Sequence, residues 1–117
     1  MTIKRIQVGP RMSQAVVHNG VVYLAGQVAR DANVQSVAGQ TRMILEQIDK
    51  LLAEAGTSKD KLLTASIWLA DIKGFAEMNS EWDQWVAQGN TPARATVEAK
   101  LAAPAFLVEI AVSAAVG

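Results

Sequence analysis

A single domain of mixed helix and strand, with two helices on one face of one sheet, is what the sequence predicts, in the order β-β-β-α-β-α-β-β. Three observations carry that prediction. Two β-rich runs meet at Asn19-Gly20, a dipeptide that tolerates the positive φ angles of a type I′ turn and so marks a hairpin. Two later segments repeat apolar residues at helical spacing, and the runs around them alternate as strands do. With 117 residues the chain makes one ordinary domain, long enough to bury roughly two thirds of its unfolded surface.

The elements follow in order. Thr2 to Val8 alternate weakly, Ile3, Arg5 and Gln7 against Lys4, Ile6 and Val8, and form the first strand. Ala15 to His18 and Val21 to Ala25 are the arms of the hairpin. Gly26 ends it, where a missing side chain lets a ligand or another backbone approach. From Ser36 to Ala55 a helical stripe runs through Val37, Ile44, Ile48, Leu51, Leu52 and Ala55, and Gly56 is placed to cap it. Leu62 to Ala70 alternates, with Leu63, Ala65, Ile67 and Leu69 on one face. A second helix, from about Gly74 to Ala87 and capped by Asp71, carries Phe75, Met78, Trp82 and Trp85 on one stripe. Pro92 opens a strand from Ala93 to Ala99, and Leu107 to Val116 is the last strand.

Right-handed crossovers put both helices over the same sheet face. In the last strand Val108, Ile110, Val112, Ala114 and Val116 belong under them, which turns Leu107, Glu109, Ala111 and Ser113 to the open face. In the preceding strand the apolar set Ala95, Val97 and Ala99 is expected under the helices, with Arg94, Thr96 and Glu98 on the open face. Half of the residues are hydrophobic, a little high for a domain of this size, so part of that surface is expected to meet another subunit.

Composition excludes several classes. Eleven Lys plus Arg balance eleven Asp plus Glu, so no net field draws the chain onto nucleic acid or an anionic membrane. Cysteine is absent, which removes disulfides, thiolate metal sites and cysteine nucleophiles and suits a reducing compartment. The single histidine, His18, makes no multi-histidine metal site. The first residues carry Lys4, Arg5 and Arg11 without an apolar segment, unlike a secretory signal. The apolar C-terminal stretch is broken by Glu109 and too short for a bilayer. A soluble, cytoplasmic, single-domain protein is expected.

Two residues stand out chemically. Arg94, directly after Thr91-Pro92-Ala93, presents a fork that grips a carboxylate with two parallel hydrogen bonds. It serves either a ligand or a salt bridge, within the chain or between subunits, for which Glu109 is one candidate partner. Glu109, on a small-residue and fairly apolar surface, is either a proton-exchanging carboxylate or the structural partner of a lysine or a backbone amide. Weaker candidates read as structure: His18 in an exposed turn, Trp82 and Trp85 in the core, and Asn79, beside the apolar stripe, as a cap or brace for a neighbouring loop. Ser13 has no histidine and acid at a triad spacing, and no phosphate loop, dinucleotide fingerprint or metal motif is present.

Gly9-Pro10, Leu24-Ala25-Gly26-Gln27, Phe75-Ala76-Glu77-Met78-Asn79, and above all Thr91-Pro92-Ala93-Arg94-Ala95-Thr96-Val97 with Val108-Glu109-Ile110 resemble the RidA/YjgF family signature across essentially the whole chain. Arg11-Met12-Ser13, Val17-His18-Asn19, Ile67-Trp68-Leu69-Ala70-Asp71 and Met78-Asn79-Ser80-Glu81-Trp82-Asp83 resemble its YoaB-like branch. The resemblance implies a chorismate-mutase-like α+β fold and a homotrimer whose sheets form a barrel, with a ligand cleft at each subunit interface.

In deaminating members, the resemblance implies, the arginine at the position of Arg94 clamps the substrate carboxylate. The glutamate at the position of Glu109 activates the water that hydrolyses an imine. Backbone near Gly26 and Ala95 and the side chain of Thr96 line the cleft. One departure bears on specificity: Arg11 and Met12 follow Gly9-Pro10 where deaminating members commonly carry tyrosine. The implied activity is cofactor-free hydrolysis of 2-imino or 2-enamino acids to 2-keto acids and ammonia. The alternative is a trimeric protein that binds small carboxylates without turnover. A ribonuclease role, also attached to the family, finds no support in the neutral charge.

Overall fold

Asn19 and Gly20 take φ angles of 52° and 76°, closing the hairpin between strands β2 (Ser13–His18) and β3 (Val21–Leu24) as the dipeptide requires. The structure is a computed structural model that describes residues 2–117. Its other elements are β1 (Lys4–Val8), α1 (Val37–Glu54), β4 (Leu62–Leu69), α2 (Phe75–Trp85), β5 (Ala93–Glu98) and β6 (Val108–Ala115). The six strands form one mixed sheet in the order β1-β2-β3-β6-β4-β5, in which only β4 and β5 pair in parallel. That parallel pair needs a crossover, and α2 supplies it.

Helix α1 begins at Ser36, whose side chain accepts from Gly39 N, one of the amides the first turn leaves without a partner. It ends with Gly56 at φ 85°, where Thr57 N reaches back to Leu52 O and Gly56 N to Ala53 O, the paired bonds of a Schellman cap. Asp71 caps differently from expectation. Its side chain accepts from Lys73 N and starts a short 3-10 turn, Ile72–Gly74, that leads into α2. Helix α2 stops at Trp85, two residues early, because Val86 is already extended at ψ 141°.

The core lies between the sheet and the two helices. In β6, Val108, Ile110, Val112 and Ala114 are all buried, whereas Glu109, Ala111, Ser113 and Ala115 stand half-buried on the far face, as the alternation predicts. Strand β4 corrects the expectation at its start. A register shift between Leu62 and Thr64 turns Leu62 into the core and leaves Leu63 exposed, after which Ala65, Ile67 and Leu69 are buried as read.

A larger correction concerns β5. Arg94, Thr96 and Glu98 pair with Ala65, Ile67 and Leu69, so they share the helix side, and Val97 is 50% exposed on the open face. Strand β5 is an edge that the helix layer covers incompletely. Polar side chains find partners there on α2 and the turn before it, including Ile72 N, which donates to Glu98. Hydropathy alternation alone therefore assigned the wrong face.

Two helix residues that no apolar stripe would include are among the most buried. Gln40 is 1% exposed, and its side chain donates to Val34 O and Ala105 O while accepting from Leu107 N. It ties both long loops to α1. Thr41, fully buried, returns its hydroxyl to Val37 O.

Candidate functional site

Arg94 is half-buried at the start of β5, with its guanidinium beneath α2. Its Nη1 donates to Asn79 Oδ1 at 2.8 Å, and its Cζ stands 5.3 Å from the Trp82 ring centroid and 5.8 Å from that of Phe75. The two rings attract the cation, and the amide fixes one edge of the fork. Asn79 is thus a brace, for the arginine rather than for a loop. The signal lay in its position, one turn after Phe75 on the same helix face.

Glu109 stands on the opposite face. Its carboxylate lies over Gly26, and a Cβ added there would come within 3.0 Å of Glu109 Cδ and closer still to Oε2. A side chain at Gly26 would therefore displace the Glu109 carboxylate, a demand of space and not of turn geometry. The approach is made by an irregularity in β3: Tyr23 pairs with Ser113 but Gln27 with Ile110, so three residues of the β3 side stand against two of β6. Such a bulge re-aims the chain at a sheet edge or a site.

The structure brings Gly26 and Glu109 together, and it separates both from Arg94. Trp68, opposite Glu109, pairs with Val97, three residues beyond Arg94 and two strands away from β6. Standard strand dimensions put the two backbones roughly 14 Å apart, and the side chains leave from opposite faces. A salt bridge between them does not form. Among the described residues the one ion pair joins Arg42 to Glu81 on the helix surface, Nε to Oε1 at 3.0 Å.

The remaining predicted residues fall into place around these two. Ala95 is exposed on the open face of β5, and Thr96 lies on the Arg94 side with a buried hydroxyl that has no hydrogen-bond partner. Met12 closes a tight turn by accepting from Gly9 N at 2.8 Å and exposes 47% of its surface. Met12 and Gly26 share the wall of a groove of about 650 Å³, which Arg11 does not line. His18 lies 3.4 Å from Thr2 O, and Trp82 packs in the core while Trp85 donates to Asp49. Among the described residues no cluster of three potential metal ligands exists, and no helix is long and apolar enough to cross a membrane.

What sequence reading missed is a relay of amides beside Gly26. Gln27, 7% exposed, donates to Gln14 Oε1 and Ala25 O and accepts from Gln47 Nε2. Gln47 also holds Val28 O and Arg30 N. The relay ties α1 to the segment that presents Gly26. Nothing in the spacing of the glutamines announces it.

A six-stranded mixed sheet with two helices, an arginine on its edge strand and a glutamate on the opposite face of an inner strand is an α+β domain of the YjgF type. The chain belongs to the YjgF/RidA family, whose description, Endoribonuclease L-PSP, matches residues 2–116. It is 48% identical over 114 residues to a RutC family protein of Haemophilus influenzae, covering 97% of this chain and 98% of that one. It is 43% identical over 116 residues to the RutC family protein YoaB of Escherichia coli, covering 99% and 100%. A crystal structure of a YjgF-family member from Neisseria meningitidis superposes with a TM-score of 0.97 at 46% identity, covering 100% of this chain and 97% of that one.

Proposed function

We propose that the chain hydrolyses reactive 2-imino and 2-enamino acids to 2-keto acids and ammonia, at clefts between the subunits of a homotrimer. One observation carries the reading: Arg94 is held by Asn79, Glu109 rests over Gly26, neither has an ion-pair partner among the described residues, and they leave opposite faces of the sheet. Two such groups act on one small substrate only if they come from different copies. The open face offers the contact surface for that assembly, with Tyr23 55% and Val97 50% exposed beside half-buried Trp68, Ala111 and Ser113.

The chemistry needs few parts. Arg94 of one copy grips the substrate carboxylate, with Asn79 and the flanking rings holding its fork. Glu109 of the neighbour orients a water at the imine carbon and takes up its proton as the C–O bond forms. The proton then passes to the nitrogen to give a carbinolamine, the hydroxyl's remaining proton follows it through Glu109, and the C–N bond breaks with its electron pair leaving on ammonia as the carbonyl forms. An enamine enters after tautomerising to the imine. No step requires a cofactor.

The test is loss of a trappable imine, with 2-iminopropanoate and 2-iminobutanoate generated in place. The wild-type protein is expected to speed that loss. Glu109→Gln keeps size and hydrogen bonding but removes the base, and is expected to slow it about a hundredfold. Wild-type protein that leaves imine lifetimes unchanged would overturn the deaminase reading. Retained binding of 2-keto acids in that case would assign the cleft to carboxylate binding without turnover.

A further inference from the structure

The groove beside Gly26 has a chemical bias that the proposed reaction does not use. Arg30 and Lys50 stand on its rim, no carboxylate lines it, and neither cation has an ion-pair partner among the described residues. The amide relay deepens the bias. The side-chain carbonyls of Gln14, Gln27 and Gln47 are all engaged as acceptors, by Gln27, Gln47 and Arg30 N respectively. Gln7 at the rim gives its Nε2 to Glu54. Gln27 Nε2 and Gln47 Nε2 each spend their donors on two acceptors, so the relay leaves over the Gln14 Nε2, and beside it stands the positive charge of Arg30 and Lys50.

The geometry of α1 makes this a built feature. Gln47 is bonded to Gln27, Val28 and the amide of Arg30, so the helix is registered against the segment that carries Arg30. Lys50 follows Gln47 by three residues and therefore projects from the same helix face one turn on. The relay itself is a structural tie, whereas the two cations at its end have no ion-pair partner among the described residues. Gly26 and Met12 belong to the groove wall, and the Glu109 carboxylate rests against Gly26, so the groove runs up to the backbone beside the proposed base.

We infer that this groove is the side-chain chamber of the same site, and that it selects imino acids bearing a second, distal carboxylate. The inference rests on the deaminase reading. The substrate's α-carboxylate meets Arg94 of one copy, while its distal carboxylate meets Arg30 and Lys50 of the copy that supplies Glu109. A charge-assisted contact of this kind is strong enough to dominate selectivity between otherwise similar small acids.

Calorimetric binding of the stable keto-acid products tests it, comparing 2-oxoglutarate with 2-oxobutanoate on the assembled wild-type protein. The dicarboxylate is expected to bind about tenfold more tightly, the scale of one charge-assisted hydrogen bond. Joint replacement Arg30→Gln and Lys50→Gln, both at exposed positions, is expected to bring the ratio of affinities to about one. Lys50→Glu is expected to invert it. Equal affinities in the wild type, or a preference that survives the joint replacement, would overturn the inference and leave the deaminase reading intact. A dicarboxylate preference that depends on these cations, found in a protein that hydrolyses no imine, would support the chamber and overturn the reaction.

Discussion

Gln40 and Arg94 are both polar side chains on the helix side of the sheet, and only one of them is closed. Gln40 is almost wholly buried and makes three bonds to backbone groups of two loops and the start of β6's approach. Arg94 has one bond to Asn79, two aromatic neighbours and no carboxylate. The difference separates a group that completes the fold from one held ready for something outside it. A polar network that is fully satisfied specifies structure, whereas a fixed and unpaired charge marks a site.

Substitutions distinguish the two roles. Gln40→Leu leaves Val34 O, Ala105 O and Leu107 N without partners, and is expected to destabilise the chain by about 3 kcal/mol or more in urea unfolding. A loss under about 1 kcal/mol would mean the loops do not depend on it. Arg94→Lys keeps the charge but not the fork, so keto-acid affinity is expected to fall about tenfold or more while the unfolding midpoint barely moves. Unfolding that shifts as far as for Gln40→Leu would make Arg94 structural as well. Asn79→Ala removes the brace only. It is expected to raise KM about fivefold with kcat little changed, one neutral contact to a charged group being lost.

The smallest effect lies outside both regions. Asp60 is held below its ordinary 3.8 by the hydrogen bond from Ser58. A lowered carboxylate stabilises the fold above its unfolded pKa, and that contribution is lost as the pH falls through the folded value. Ser58→Ala is therefore expected to lower stability slightly above about pH 4 and to leave it unchanged in strong acid, which flattens the acid limb, with ligand binding untouched. A loss confined to strong acid would contradict it.

Much of this architecture was readable in the residues. The hairpin, both helices, the cap at Gly56 and the two-faced last strand follow from local rules that tertiary packing did not override. Arg94 and Glu109 stood out by residue type and setting, and their family signature spans the chain. What could not be read depended on long-range coverage. The face of β5 was misassigned because an edge strand under a short helix has polar partners above it and open surface below. Gln40 and the amide relay escaped because periodicity counts apolar residues, while these are buried by bonds to loops distant in sequence. For the same reason the separation of Arg94 from Glu109 is a property of strand order, not of spacing.

The central claim is that one site is built from two copies, and mixing two defective proteins tests it most directly. Arg94→Ala and Glu109→Ala variants, each inactive alone, are unfolded together and refolded into mixed trimers, whose formation is checked by native mass spectrometry. In a ring of three, a mixed assembly has one interface where an intact Arg94 meets an intact Glu109, so about a quarter of the wild-type rate of imine loss is expected from an equal mixture. Mixed trimers that form and remain inactive would contradict the account, since the two residues would then have to serve within a single copy.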